Sequence, residues 1–191
     1  MKPVIGQKNY GKVMITSYEK LLTNQKEDYR YLLQFSNNED VRKISWRLFD
    51  ELMIHYDEEI FHFLCSWYCH MEVDDFEIFG FQCFYYDIDP LVCQVNKHIS
   101  SNVFNKDVIF DDIKINEGII VNKYCEVCYP VGKIFKGKFA LIGSDNPHLS
   151  CINPIKSCQQ LIDQNELSEV YYKTEINGKH NYYMVLGCNQ V

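Results

Sequence analysis

From residue 60 onward, short apolar runs alternate with stretches of helical spacing, which predicts a largely parallel sheet flanked by helices. The runs are Ile60–Cys65, Phe81–Asp87, Asp107–Phe110, Gly118–Asn122 and Lys138–Ile142. They are nearly continuous in hydrophobicity, as expected of strands buried on both faces. Helices are expected over Met71–Phe79, closed by Gly80, and from Pro90, which suits a first helical turn, to about Ser101. After Pro154, a helix over Ile155–Asn165 leads into two further strand runs, Ser168–Thr174 and Asn181–Gly187. Asn177-Gly178 between them is a hairpin signal, so the sheet gains an antiparallel edge.

Upstream, residues 36–59 carry the clearest helical pattern. Ser36, Asn37 and Asn38 offer N-caps, Glu39 and Asp40 suit the first turn, and Ile44, Leu48, Leu52 and Met53 recur at helical spacing. A weaker pattern lies within Tyr10–Leu33. The expected organisation is therefore a helical N-terminal cap or extension, residues 1–59, on a domain over residues 60–191. That domain is a doubly wound, mostly parallel α/β sheet with a C-terminal antiparallel hairpin, in three α/β/α layers. Such sheets bind ligands in the crevice outside the carboxyl ends of their strands.

Composition narrows the class. With 191 residues, 47% of them apolar and 15% aromatic, the chain can bury one substantial core. The formal charge of −7 and the lack of a Lys/Arg cluster disfavour a nucleic-acid partner. The first eight residues lack the apolar core of a signal peptide and no run approaches membrane-spanning length, so a soluble, cytoplasmic protein is expected. Nine cysteines, odd in number and irregularly spaced, fit reduced thiols in a reducing compartment. The Asn, Lys, Ile and Tyr usage hints at an AT-rich genome, as of a virus or phage.

Candidate chemistry gathers at the strand ends. The second run closes on Tyr86-Asp87-Ile88-Asp89-Pro90, an acidic pair where such folds present a carboxylate to ribose hydroxyls. An ionised carboxylate has two acceptor oxygens for two vicinal donors; the same residues would also serve as a helix-capping turn. Asp111-Asp112-Ile113 follows the third run, and Asn122-Lys-Tyr-Cys-Glu-Val-Cys-Tyr-Pro130 follows the fourth. The first run leads into Cys65-Ser66-Trp67-Tyr68-Cys69-His70, a turn without glycine. Cys125-x-x-Cys128 has zinc-type spacing, but no second pair accompanies it, and no metal is expected. No Gly-x-Ser-x-Gly elbow, phosphate-binding Gly-x-x-x-x-Gly-Lys-Ser/Thr loop or Gly-x-Gly-x-x-Gly fingerprint occurs.

In the order of its strands and the residues at their ends, the chain over about 60–188 resembles the class I S-adenosylmethionine-dependent methyltransferases. The resemblance implies S-adenosylmethionine as cofactor, with Asp87 and Asp89 at its ribose and Asp111, Asp112 and Ile113 at its adenine. Ser66, Trp67, Tyr68 and Cys69 stand where that family has its glycine-rich turn, and they depart from it. Asn122, Glu126 and Tyr129 stand at the substrate-facing motif, without its Asn-Pro-Pro-Tyr form. There Asn122 would orient an acceptor, Glu126 take a proton and Tyr129 wall the pocket; a surface role for Glu126 is the competing reading. The implied activity is methyl transfer to an unidentified small-molecule or protein acceptor, and a homodimer is compatible with it. The alternatives are a degenerate, non-catalytic binding protein on the same fold, or an enzyme using S-adenosylmethionine for other chemistry.

Overall fold

The apolar runs pair as β1 (Ile60–Leu64), β2 (Gln82–Asp87), β3 (Val103–Asn105), β4 (Ile119–Asn122), β5 (Lys138–Ser144), β6 (Glu169–Ile176) and β7 (Tyr182–Cys188). They form one sheet in the order β3-β2-β1-β4-β5-β7-β6. The first five strands run parallel to one another, while β7 is antiparallel to both β5 and β6. This is the expected doubly wound sheet with a C-terminal hairpin at one edge. The computed structural model describes residues 39–67, 69, 76–97, 100–147 and 152–189. The helical pattern expected within 10–33, and residues 71–75 of the expected helix after β1, lie outside them.

Because side chains alternate across a strand, each central strand feeds two cores. On one face Phe61, Phe63, Tyr85, Val121 and Ala140 pack with Leu48 and Leu52 of α1 (Glu39–His55) and Cys93 of α2 (Pro90–Asn96). On the other, Leu64, Ile120, Phe139 and Leu141 pack with Leu161 of α3 (Cys158–Gln164). Helices thus cover both faces, giving three layers. The stripe predicted for α1 is the face it buries, and Tyr56 anchors the chain just beyond it. The Tyr56 hydroxyl hydrogen is shared between the carbonyls of Phe139 and Gly187, each 3.0 Å away.

Local chemistry sets several boundaries. Asp89 caps α2, its Oδ1 accepting from the Leu91 amide at 2.8 Å, and Pro90 fills the first turn. The helix ends at Asn96 rather than near Ser101. Of the helix expected to end at Phe79, the described part is a 3-10 turn, Glu77–Phe79, closed by Gly80 at φ +91°.

The third strand requires a correction: it is Val103–Asn105, and Asp107–Phe110 is a turn. Asp107 Oδ1 accepts from the Ile109 amide at 2.8 Å, and Asp111 Oδ2 accepts from the Asp107 amide at 2.7 Å. Carboxylates that capture nearby amides divert the backbone from a ladder. Among the described residues, no helix is long and apolar enough to cross a membrane.

Candidate active site

The strand order reverses between β1 and β4, so the connections leaving their carboxyl ends diverge and open a crevice. A cleft of about 570 Å³ lies there. Its walls come from α1, the loop after β1, the end of β2, the turn after β3 and the loop after β4.

The loop after β1 adopts the left-handed backbone that glycine favours, but with other residues: Cys65 has φ +50° and Trp67 φ +51°. Each such residue costs about 1–2 kcal/mol, so the surroundings must hold the loop in place. Ser66 donates its amide to the Tyr86 carbonyl at 2.9 Å, and Trp67 donates its amide to Asp87 Oδ2 at 2.8 Å. Asn96, wholly buried on α2, donates to the Trp67 carbonyl at 2.6 Å and accepts from the Cys69 amide at 3.2 Å. The loop is therefore built by the end of β2 and by α2.

Asp87 ends β2 almost fully buried, yet its side chain borders the cleft. Oδ2 takes the Trp67 amide and Oδ1 the Asp89 amide at 2.9 Å. The Ile88 amide also acts on the carboxylate; with about four acceptor positions in all, the group retains room for a ligand donor. Burial raises its pKa, opposed by these amide bonds.

The loop after β4 carries the other polar wall. Lys123 is buried, lines the cleft, and donates to Ser45 Oγ of α1 at 3.2 Å. Desolvation pulls its ammonium down to about 7. Glu126, also buried, accepts from Ser144 Oγ at 2.8 Å and from the Ser144 amide at 3.2 Å, which ties the loop to the end of β5. Burial raises its pKa against those bonds. Cys65 and Cys128 face each other across the crevice, the Cys65 thiol donating to Cys128 Sγ at 2.8 Å. Among the described residues, no cluster of three or more His, Cys, Asp or Glu side chains is arranged to hold a metal ion.

Of the sequence-predicted site residues, the cleft gathers Trp67, Asp87, Asp89, Glu126 and Tyr129. Ser66 and Cys69 are buried beneath it, and Tyr68 lies outside the described residues. Asn122 is also buried off the lining, where its Oδ1 accepts from the Tyr124 amide at 2.9 Å in a local turn. Asp111, Asp112 and Ile113 do not line the cleft; Lys106–Ile109 do. Asp111 is occupied by the turn, the Asp112 side chain is 83% exposed, and Ile113 packs against the second core.

Sequence reasoning missed Lys123, Asn96 and Asp107; it set Cys65 and Cys128 on the same rim, but in a zinc-type grouping and not as a facing pair. The signal for Lys123 was a lysine directly following a strand buried on both faces. That for Asn96 was an amide on the apolar stripe of Val92, Cys93 and Val95.

No protein-family model and no curated protein sequence matches the chain. Solved structures do. Magnesium protoporphyrin IX methyltransferase from Synechocystis PCC 6803 with bound SAH superposes with TM-score 0.67 at 8% identity, over 94% of this chain and all of that one. The 1,6-didemethyltoxoflavin-N1-methyltransferase of Burkholderia thailandensis, with bound 1,6-didemethyltoxoflavin and S-adenosylhomocysteine, gives 0.61 at 11% identity, over 100% and 93%. TehB from Haemophilus influenzae gives 0.57 at 10% identity; 75% of this chain matches, and the match spans 62% of TehB. The strand order, the antiparallel hairpin and these superpositions together establish that this chain has a class I methyltransferase-like fold.

Proposed function

We propose that the protein binds S-adenosylmethionine in the crevice between β1, β2 and β4 and transfers its methyl group to a small-molecule or protein acceptor. One observation carries this reading: the buried Asp87 carboxylate, ending β2 and bordering the cleft, with acceptor capacity beyond its backbone amide partners. A pair of ribose hydroxyls supplies the matching donors. The cleft volume of about 570 Å³ is that of a small-molecule site. The glycine-like backbone at Cys65 and Trp67 supports the same reading, since the loop keeps its shape without the residue type. Trp67, Ile88 and Ile109 offer apolar contact to a flat base.

S-adenosylmethionine supplies, when bound, a methyl group made electrophilic by its sulfonium. The protein's part is to hold the acceptor in line and to remove a proton where the acceptor carries one. Glu126 and Lys123 are the groups on the acceptor side able to take it. Burial raises the Glu126 carboxyl, bringing it closer to a useful base, and Lys123, near 7, is substantially neutral above that pH. Tyr129, 44% exposed at the mouth, would wall the acceptor. Asp89 acts through its cap on α2, which steadies the end of β2. The same proposal keeps a cytoplasmic site of action.

Calorimetric titration with S-adenosylmethionine and S-adenosylhomocysteine, repeated on Asp87→Asn and Asp87→Ala, tests the reading. Saturable micromolar binding, weakened about 10- to 100-fold by either substitution, is the expected result, as for loss of charged hydrogen bonds worth about 1.5–3 kcal/mol. Absence of binding to both ligands overturns it. A second reading, binding without catalysis, is favoured by one feature: Cys65 and Trp67 place side chains on the cleft where glycine leaves room. Cofactor exclusion alongside a well-folded protein would put that reading first. Product analysis after incubation with labelled cofactor separates methyl transfer from other uses of S-adenosylmethionine.

A further inference from the structure

Two cysteines occupy the point where the strand order reverses. Cys65 directly follows β1 and Cys128 lies in the loop after β4, and these strands are adjacent and parallel. Both side chains line the cleft, so a small oxidant entering it reaches them, although Cys128 is otherwise buried. Their sulfurs are 2.8 Å apart, and forming a bond requires them to close by only about 0.8 Å. Other described cysteines near the site are differently disposed. The Cys125 thiol donates to the Asn122 carbonyl at 3.5 Å, the Cys93 thiol donates to the Asp87 carbonyl at 3.5 Å, and neither lines the cleft.

The pair is also chemically asymmetric. Cys128 receives hydrogen bonds from the Cys65 thiol and the Asn122 side chain, which lower its pKa. Cys65 is pushed up, chiefly because its proton is held in that bond and because it is buried. The shared proton and the Asn122 donor favour a thiolate within this pair, with the second sulfur placed to resolve an oxidised first one.

We propose that Cys65 and Cys128 form a reversible disulfide across the crevice and that this bridge closes the site to S-adenosyl ligands. The closure rests on the cofactor reading above, whereas the bridge itself does not. A peroxide is the oxidant. The Cys128 thiolate attacks one peroxide oxygen, giving a sulfenic acid and releasing hydroxide. The Cys65 sulfur then attacks the Cys128 sulfur, expelling the hydroxyl as water and losing its own proton. Overall, two thiols and one hydrogen peroxide give one disulfide and two waters, and two equivalents of an external thiol reverse the bridge by exchange. Cys65 and Cys128 line the same cleft as Asp87 and Glu126. Once the two sulfurs are joined, the loop at Cys65–Trp67 cannot move independently of the loop after β4.

The test uses the full chain, reduced, freed of reductant and then treated with a small excess of hydrogen peroxide. Remaining thiols are alkylated and the digest is mapped by mass spectrometry, and S-adenosylhomocysteine is titrated before oxidation, after it, and after dithiothreitol. The expected result is a Cys65–Cys128 cross-link with loss of two hydrogens. Affinity should fall at least tenfold, recover with dithiothreitol, and resist peroxide in both Cys65→Ser and Cys128→Ser. Absence of that cross-link overturns the bridge, and a mapped cross-link that leaves affinity unchanged overturns the closure. If reduced protein binds no S-adenosylhomocysteine, the cofactor reading and the closure both fall, while the map still decides the bridge. The wild-type map needs no variant, so a serine substitution that impairs folding does not remove the test. Cys188→Ser controls for the half-buried thiol that ends β7, off the cleft lining, and should leave the cross-link intact.

Discussion

Asn96 illustrates how much of the site rests on single buried side chains. Its amide satisfies the Trp67 carbonyl and the Cys69 amide at once. Asn96→Ala leaves both backbone groups without that partner and frees a loop held in left-handed geometry. We expect a loss of about 2–3 kcal/mol in urea denaturation, together with weaker S-adenosylhomocysteine binding; unchanged stability would show that the loop holds itself. Lys123 is best tested by its titration. Its folded pKa, near 7, lies below the usual lysine value of 10.5. The neutral form is therefore favoured in the fold, and its contribution to stability, present above about 10.5, is lost as pH falls towards 7. The stability difference between wild type and Lys123→Met should rise with pH across that window by at most about 1.4 kcal/mol per unit, the limit for one proton. A difference independent of pH would contradict the depressed value. Asp87 and Glu126 shift upward instead, so they favour the fold at low pH and lose that contribution as pH rises through their folded values.

Among elements, the turn after β3 and the β6–β7 hairpin show where backbone contacts outrank hydrophobic pattern. Val108, Ile109 and Phe110 look like strand, but Asp107 and Asp111 bind the local amides and turn the chain towards the cleft. In the hairpin, Gly187 of β7 lies so close to the Glu169 carbonyl oxygen of β6 that a Cβ would overlap it. β6 has a register shift between Val170 and Tyr172, close to this contact. Gly187→Ala should force these strands apart and cost about 1–3 kcal/mol, the usual range for overpacking. Chemical denaturation and amide exchange across β6 would register it, and a neutral result would mean that the edge strand yields freely.

Across the whole molecule, α1 behaves as part of the core. Ile44, Leu48 and Leu52 pack into the same cluster as Phe61 and Phe63 of β1, and Arg47 donates to the Tyr172 hydroxyl on β6 at 2.8 Å. Leu52→Ala should therefore destabilise the entire sheet by about 2–5 kcal/mol. Fluorescence and circular dichroism should then report one coincident transition; a separate early transition for the helix would show that α1 unfolds independently.

The sequence by itself determined the order and character of the elements, apart from the position of the third strand. Apolar runs that cannot face water on either side imply a covered parallel sheet, and Asn177-Gly178 implies a hairpin edge; both hold. It also determined that Asp87 ends a strand and that Glu126 lies in the loop following one, since a strand's termination is a local property. Only tertiary structure decided which of the neighbouring residues face the crevice. Asp111 and Asp112 follow the third run yet turn away, because a carboxylate's partners depend on the local turn and not on the residue type. Lys123, Asn96 and the Cys65–Cys128 pair acquire their chemistry from groups 27 to 78 positions away in the chain. Such proximity is created when strands distant in sequence become neighbours in the sheet, and no local pattern records it.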